Sequence, residues 1–162
     1  MMKKAHIDQI ECSLARALAQ VGDSWTLLIV KEIMLGNRRF DGIHKQTGMS
    51  SLSLSSRLLA LETARIIRRA PYSERPRRFE YLVTGKGRSL WPALVALTQW
   101  GDQWASGGSI PLRIEHNDCP YRGRPTFCCS GCGEPMAEGD ATTVMSMRMK
   151  KDREARGNLQ AH

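Results

Sequence analysis

A mainly helical fold carrying one β-hairpin is the architecture the sequence predicts, and three observations predict it. Helical patterns occupy the stretch from Leu14 to about Thr63, broken at Gly22, Gly36 and Gly48. Two short strand-like stretches follow, with Ile66, Ile67 and Tyr72 in one and alternating Phe79, Tyr81 and Val83 in the other. A further apolar helical pattern then runs from Thr84 to the glycine pair Gly107-Gly108.

Taken in order, Leu14, Ala15, Leu18 and Val21 recur at helical spacing, and Gly22 ends that helix. Asp23 or Ser24 can cap a second helix from Trp25 to Leu35. This helix is apolar on most sides, so it is expected to be buried, with Gly36 as its stop. A short third helix is expected from about Phe40 to Thr47, and Gly48-Met49-Ser50 reads as a turn. A fourth opens at Ser50 or Ser51 and runs to about Thr63. Its Leu54, Leu58 and Leu61 face the core, while Ser53, Ser56 and Arg57 are expected to point outward.

Short helix, glycine turn and second helix with a small polar outer face is the helix-turn-helix pattern. Hydroxyl side chains let such a helix approach a DNA groove closely and still hydrogen-bond phosphates or base edges. An ordinary helical hairpin with a serine-rich side has the same pattern. The hairpin that follows adds weight. Ser73-Glu74-Arg75-Pro76-Arg77 marks its turn, and its basic tip makes it a wing able to reach phosphates or a minor groove. Mainly α with a small β-hairpin wing, a winged helix-turn-helix, is therefore the expected fold. Ser50, Ser51, Ser53, Ser56, Arg57, Arg75, Arg77 and Arg78 are its candidate DNA-binding residues.

Charge agrees. The chain of 162 residues carries a net +8, and Thr63 to Leu90 holds eight Lys/Arg against two Glu. Concentrated basic charge is the footprint of a polyanion site, although a solvated basic surface reads alike. With 41% apolar residues the composition is that of a globular chain, expected as one domain or one plus an appendage. No run of eighteen apolar residues exists, and Met1-Met2-Lys3-Lys4 has no apolar stretch behind it. No membrane association and a cytoplasmic location are the expectations.

Thr84 is expected to cap one long helix to about Ser106, bent or loosened by Pro92. Leu90, Leu94, Leu97 and Gly101 form one stripe on it, and Ala93, Ala96, Trp100 and Trp104 a second. The second stripe reads either as a partner-helix surface or as part of a helix central to the monomer.

These residues resemble the HxlR family of winged-helix regulators, bacterial relatives of the MarR group. The resemblance lies in Cys12, Gly22 to Ile29, Gly36-Asn37-Arg38-Arg39-Phe40, Gly48-Met49-Ser50, Leu54 to Leu58, and Leu61-Glu62. It continues through Arg69, Tyr72, Pro76, Arg77, Glu80, Tyr81, Leu82 to Gly87, and Trp100-Gly101. It implies a homodimer built from the first and last helices of the domain. It also implies sequence-specific binding of double-stranded operator DNA by the fourth helix and wing, more often as repressor than activator, with room for a small-molecule effector. Family members usually have Gly where Arg65 stands. Either the turn differs here or Arg65 takes a strained left-handed conformation. Relatives also sense electrophiles or oxidants through a cysteine near the first helix, which makes Cys12 a possible thiol sensor. A helix N-terminus favours the thiolate. A small buried hydrophobe is the plainer reading of Cys12.

After Gly108 the composition changes. Cys129-x2-Cys132-Gly133 has the spacing of a metal knuckle, and His116-x2-Cys119 can supply two more ligands. A structural Zn²⁺ in a small zinc-ribbon-like appendage is one reading, and some longer relatives carry a similar extension. Surface thiols in a tail are the other. The expected division is a DNA-binding and dimerisation domain over 1–108, a Cys/His-rich segment over 109–140, and a flexible polar tail over 141–162. In that tail Met145, Met147 and Met149 fit no helix face.

An enzyme is not expected. No Ser-His-Asp set, apolar-set carboxylate pair or phosphate-cradling glycine loop is evident in the sequence. A thiol-redox protein lacks a βαβ context around Cys129-x2-Cys132, and an RNA-binding module lacks aromatic runs to stack bases.

Overall fold

The computed structural model describes residues 7–75, 77–117, 119 and 124–159. The chain divides into two compact units, residues 1–94 and 95–162.

In the first unit α1 (Ser13–Val21) and α2 (Ser24–Met34) are joined at Gly22-Asp23. The Asp23 carboxylate accepts hydrogen bonds from the N–H groups of Trp25 (3.0 Å) and Thr26 (3.3 Å), which satisfies two orphan donors of α2. The burial expected of α2 holds only in part, and α1 has an open side as well. Ala15 and Val21 of α1 are buried, but Leu14 and Leu18 are exposed. On α2, Thr26, Ile29, Val30 and Ile33 are enclosed, whereas Trp25 and Leu28 face outward. The all-round apolar helix therefore has one uncovered face.

Gly36, at φ 94°, ends α2 in the left-handed region, where a side chain is disfavoured. After it α3 (Phe40–Thr47) and α4 (Ser51–Thr63) form the helix-turn-helix. Gly48, at φ 66°, stops α3, and its N–H donates to the His44 carbonyl. Ser50 caps α4 through its side chain, which accepts from the Ser53 N–H. Ile43, Met49, Leu54, Leu58 and Leu61 then join the α2 residues in one core, which Ile66 and Ile67 complete.

β1 (Ile67–Glu74) and β2 (Arg77–Val83) pair antiparallel, with Ile67 opposite Val83 and Glu74 opposite Arg77. The register shifts between Pro71 and Ser73. Pro76, expected in the turn, lies outside the described residues. Arg39 bridges Glu80, and the Tyr81 N–H donates to the Arg38 carbonyl (2.7 Å), so the segment before α3 is stitched to the hairpin.

Arg65 adopts φ 57°, the one left-handed non-glycine residue among those described. The turn thus keeps the geometry glycine would favour, and Arg65 carries the strain. Its N–H donates to Glu62 and the Ile66 N–H to Leu61, a full Schellman closure of α4. The Thr84 hydroxyl donates to the Arg65 carbonyl at 2.7 Å, which fixes the turn from the other side.

The expected long helix from Thr84 is two helices. Thr84 caps the short α5 (Gly85–Arg88), and α6 (Trp91–Trp104) starts anew. Pro92 is the cause. In the first turn of α6 its missing N–H costs nothing, whereas inside a continuous helix it would break a bond to the preceding turn. Gly87 sits so near the Ile66 carbonyl that any Cβ there would collide with it. In α6 the division between units falls between Leu94 and Val95.

In the second unit Val95 and Asp102 are buried, and Leu97, Trp100 and Trp104 are exposed. The expected flexible polar tail holds a helix, α7 (Met147–Leu159), on which Met147 and Met149, two residues apart, fall on different faces. No helix described is long and apolar enough to cross a membrane.

Candidate nucleic-acid interface

With Leu54, Leu58 and Leu61 turned inward, the opposite face of α4 presents Leu52, Ser56, Leu59 and Thr63 at i, i+4, i+7 and i+11. Ser51, Ser53 and Ser55 flank this line and are exposed. The Ser50 hydroxyl donates to that of Ser53 (2.9 Å), so the predicted hydroxyl cluster at the start of α4 is already organised. The Ser51 hydroxyl lies 3.3 Å from Nε2 of His44, which links the two helices of the motif.

Arg57 stands apart from that face. Its Nη1 lies 2.5 Å from Oδ1 of Asp23, the oxygen that caps α2, and both side chains are about two-thirds covered. Helical phase explains this, because Arg57 lies on the flank of α4, next to Leu54 and Leu58 rather than opposite them. The expectation that it points outward with Ser53 and Ser56 is corrected. In this structure Arg57 ties the recognition helix to α2.

The wing is basic at its tip, where Arg75, Arg77 and Arg78 are all exposed. The Arg77 guanidinium lies over the Phe79 ring at 5.2 Å, and Arg69 approaches the same ring at 5.6 Å. Such stacking holds the charged heads in fixed directions. Three other cations of the basic stretch are engaged within the fold. Arg69 pairs with Glu62 at 2.9 Å, Lys86 donates to the Ala64 carbonyl at 2.9 Å, and Arg88 donates to the Val83 carbonyl at 3.1 Å. Glu62 pushes the Arg69 guanidinium still further above its already high range. The tip therefore faces solvent, and the base of the wing ties α4, β1 and α5 together.

Sequence reasoning passed over Arg38 and Arg39. They line a cavity of about 560 Å³ between the α2–α3 turn and the wing, together with Asn37, Tyr72, Arg78 and Glu80. The Arg39 guanidinium lies 4.5 Å above the Tyr72 ring. The signal was the adjacent pair Arg38-Arg39 at the entry to α3, but only the bridge from Arg39 to Glu80 brings it beside Arg78.

Cys12 is the N-cap of α1, half-buried, and its side chain makes no capping bond. In the second unit Phe127 to Met136 forms a small hairpin, with Cys128 bridging Pro135 and the Gly133 N–H donating to the Cys129 carbonyl (2.8 Å). The N–H of Gly131 donates to Cys129 Sγ at 3.4 Å. The backbone N–H of Cys132, that N–H of Gly131 and the Cys132 thiol hold the Cys129 thiol below its usual range. These bonds close the turn from Cys129 to Gly133, which carries two of the four expected ligands. His116 and Cys119 do not complete it, since no three His, Cys, Asp or Glu side chains converge on one point among the described residues.

Comparison with known proteins accounts for the arrangement. Residues 20–108 match the sequence profile of the HxlR-like helix-turn-helix family. The uncharacterized HTH-type transcriptional regulator Rv3095 of Mycobacterium tuberculosis is 39% identical over 131 residues, which is 80% of this chain and 83% of that protein. The solved structure of PA1607, described as a candidate transcription factor, superposes with a TM-score of 0.74 at 31% identity, over 86% of this chain and 98% of that one. The redox regulator HypR in its reduced form gives a TM-score of 0.54 at 25% identity, over 57% of this chain and 92% of its own. The profile match and the coverage of the mycobacterial relative place the chain in the HxlR-like family of helix-turn-helix transcriptional regulators.

Proposed function

We propose that the chain binds operator DNA sequence-specifically as a homodimer and acts more as a repressor than an activator. The observation that carries this is the pairing, within one compact unit, of a hydroxyl-lined exposed face on α4 with an arginine-tipped wing. Serines 50, 51, 53 and 56 meet base edges or phosphates, and Arg75, Arg77 and Arg78 supply attraction to the backbone or minor groove. Leu14 on α1 in the first unit (66% exposed), and separately Trp100 and Trp104 on α6 in the second (61% and 68%), provide apolar surfaces that a second copy would cover. The repressor sign rests on the family resemblance.

Selection of duplexes from a random library, followed by footprinting, tests the reading. The expected result is a pseudo-palindrome with half-sites about one helical turn apart, roughly 34–36 Å. Sedimentation should give a dimer at micromolar concentration. A monomer that enriches no sequence would refute the proposal. Arg77→Ala should weaken binding to all sequences and reduce the salt slope by about one for each phosphate no longer neutralised.

Two further roles belong to the same proposal. Cys12 serves as a thiol sensor, supported by its place at the α1 N-terminus and by the likeness to the redox regulator HypR. Operator affinity measured with and without a quinone, in wild type and Cys12→Ser, checks this. An equal response in both would exclude Cys12. In the second unit His116, Cys119, Cys129 and Cys132 hold a structural zinc ion, supported by the N–H bonds to Cys129. Binding there requires the segment carrying His116 and Cys119 to meet the knuckle.

A further inference from the structure

We infer that Leu52 is a specificity-determining residue, reading a thymine methyl group in the major groove. The inference rests on the DNA-binding function proposed above and adds to it the chemistry of one base contact.

Leu52 is 82% exposed on the first turn of α4, while Leu54, Leu58 and Leu61 of the same helix are at most 2% exposed. It lies at the centre of the face opposite the core, aligned with Ser56 and Leu59. A leucine left in water by an otherwise well-packed helix does nothing for this fold. Its neighbours on the first turns, Ser51, Ser53, Ser55 and Ser56, are small hydroxyl residues and exposed. They frame it without covering it, and the next exposed leucine on this face, Leu59, stands two turns further along beyond Ser55 and Ser56, so the two are separate apolar projections and not one broad patch. That shape does not suit a protein partner, whose binding surface needs contiguous apolar area.

Duplex DNA suits it better. The first residues of a recognition helix are those that reach base edges. The major-groove edge of a base pair offers one apolar group, the thymine C5 methyl. Serine hydroxyls around the leucine are tolerant of donor or acceptor, and so discriminate weakly. Arg57, the residue type that most often reads guanine, is held by Asp23 at 2.5 Å. On this helix face the sharpest chemical distinction left is apolar against polar, and Leu52 makes it. The exposed arginines of the wing tip supply charge complementarity to the same polyanion.

The test is a double cycle on the full chain and its selected operator. Each thymine in turn is replaced by deoxyuridine, which deletes only the methyl group. For wild type, one thymine per half-site should lose about fourfold in affinity, the worth of one buried methyl. In Leu52→Ala the same replacement should have no effect, and Leu52→Gln should no longer select thymine at that position. Leu52 is exposed and alanine is a good helix former, so circular dichroism should show both variants folded. Equal deoxyuridine penalties in wild type and Leu52→Ala at every thymine would overturn the inference while leaving DNA binding intact. Failure of the wild type to enrich any sequence would overturn the DNA-binding function itself.

Discussion

In the N-terminal unit Ile29, Val30, Ile43 and Leu54 are completely enclosed, and helices and hairpin share one core. In the C-terminal unit Val95 is the buried apolar residue among those described, while Phe127, Met136 and Val144 stand exposed. Its described hydrogen bonds include one long-range contact, from Gln99 to the Pro125 carbonyl at 2.8 Å, and local ones such as the Ala137 N–H to Asp140 at 2.8 Å. The difference teaches that the first unit holds itself together by burial. Among its described residues the second relies far less on burial, and this is where the proposed zinc ion and second copy of the chain would add stability.

The zinc proposal offers the largest effect with which to sharpen that contrast. Protein purified without chelator should carry about one zinc per chain, and Cys132→Ser should lose most of it. Amide exchange should then quicken across residues 124–140, while the unfolding midpoint of the N-terminal unit stays where it was. Metal-free protein with a protected C-terminal segment would show that burial outside the described residues, or a partner, does the work.

Core truncation breaks the comparison directly if it is wrong. Ile43→Ala should cost about 2–5 kcal/mol in urea unfolding, because the enclosed site cannot collapse fully. Phe127→Ala, at an exposed position, should stay within about 0.5 kcal/mol. The reverse order would place the main core in the wrong unit.

Within the N-terminal unit smaller effects follow from single bonds. Asp23→Ala removes the α2 cap and the partner of Arg57 together, and should cost about 1–2 kcal/mol. It should also lower operator affinity, because α4 loses its tie to α2. Arg57→Ala should give the smaller part of that loss, and retained sequence choice would confirm that Arg57 positions the helix. Arg65→Gly has the smallest effect and the opposite sign. Relief of the left-handed backbone should raise stability by about 0.5–1 kcal/mol, partly offset by the greater freedom of glycine when unfolded. Thermal unfolding checks it, and a drop in stability would mean that the Arg65 side chain contributes more than the strain costs.

The correspondence between sequence and structure has a physical pattern. Local signals were read correctly. Of the two cap candidates for α2 Asp23 is the cap, α4 opens at Ser51 as one of its two expected starts, Gly36 and Gly48 stop helices, and the hairpin lies where alternation placed it. Each depends on residues one turn apart. Proline was read as a bend where it is a start, because whether Pro92 kinks a helix or opens one depends on how Leu90 and Leu94 must pack against the core.

The sequence by itself determined the order of elements from α1 through the hairpin, the inward face of α4, the basic tip of the wing and the family, since these rest on short-range periodicity and turn chemistry. Tertiary structure alone decided which cations face solvent. Arg57 and Arg69 are as charged in the sequence as Arg75, but Asp23 and Glu62, brought near by packing, engage them. It also decided that Arg39 lies over Tyr72 and that Leu52 is left uncovered. Exposure and long-range pairing are properties of the packed chain, and residue type cannot state them in advance.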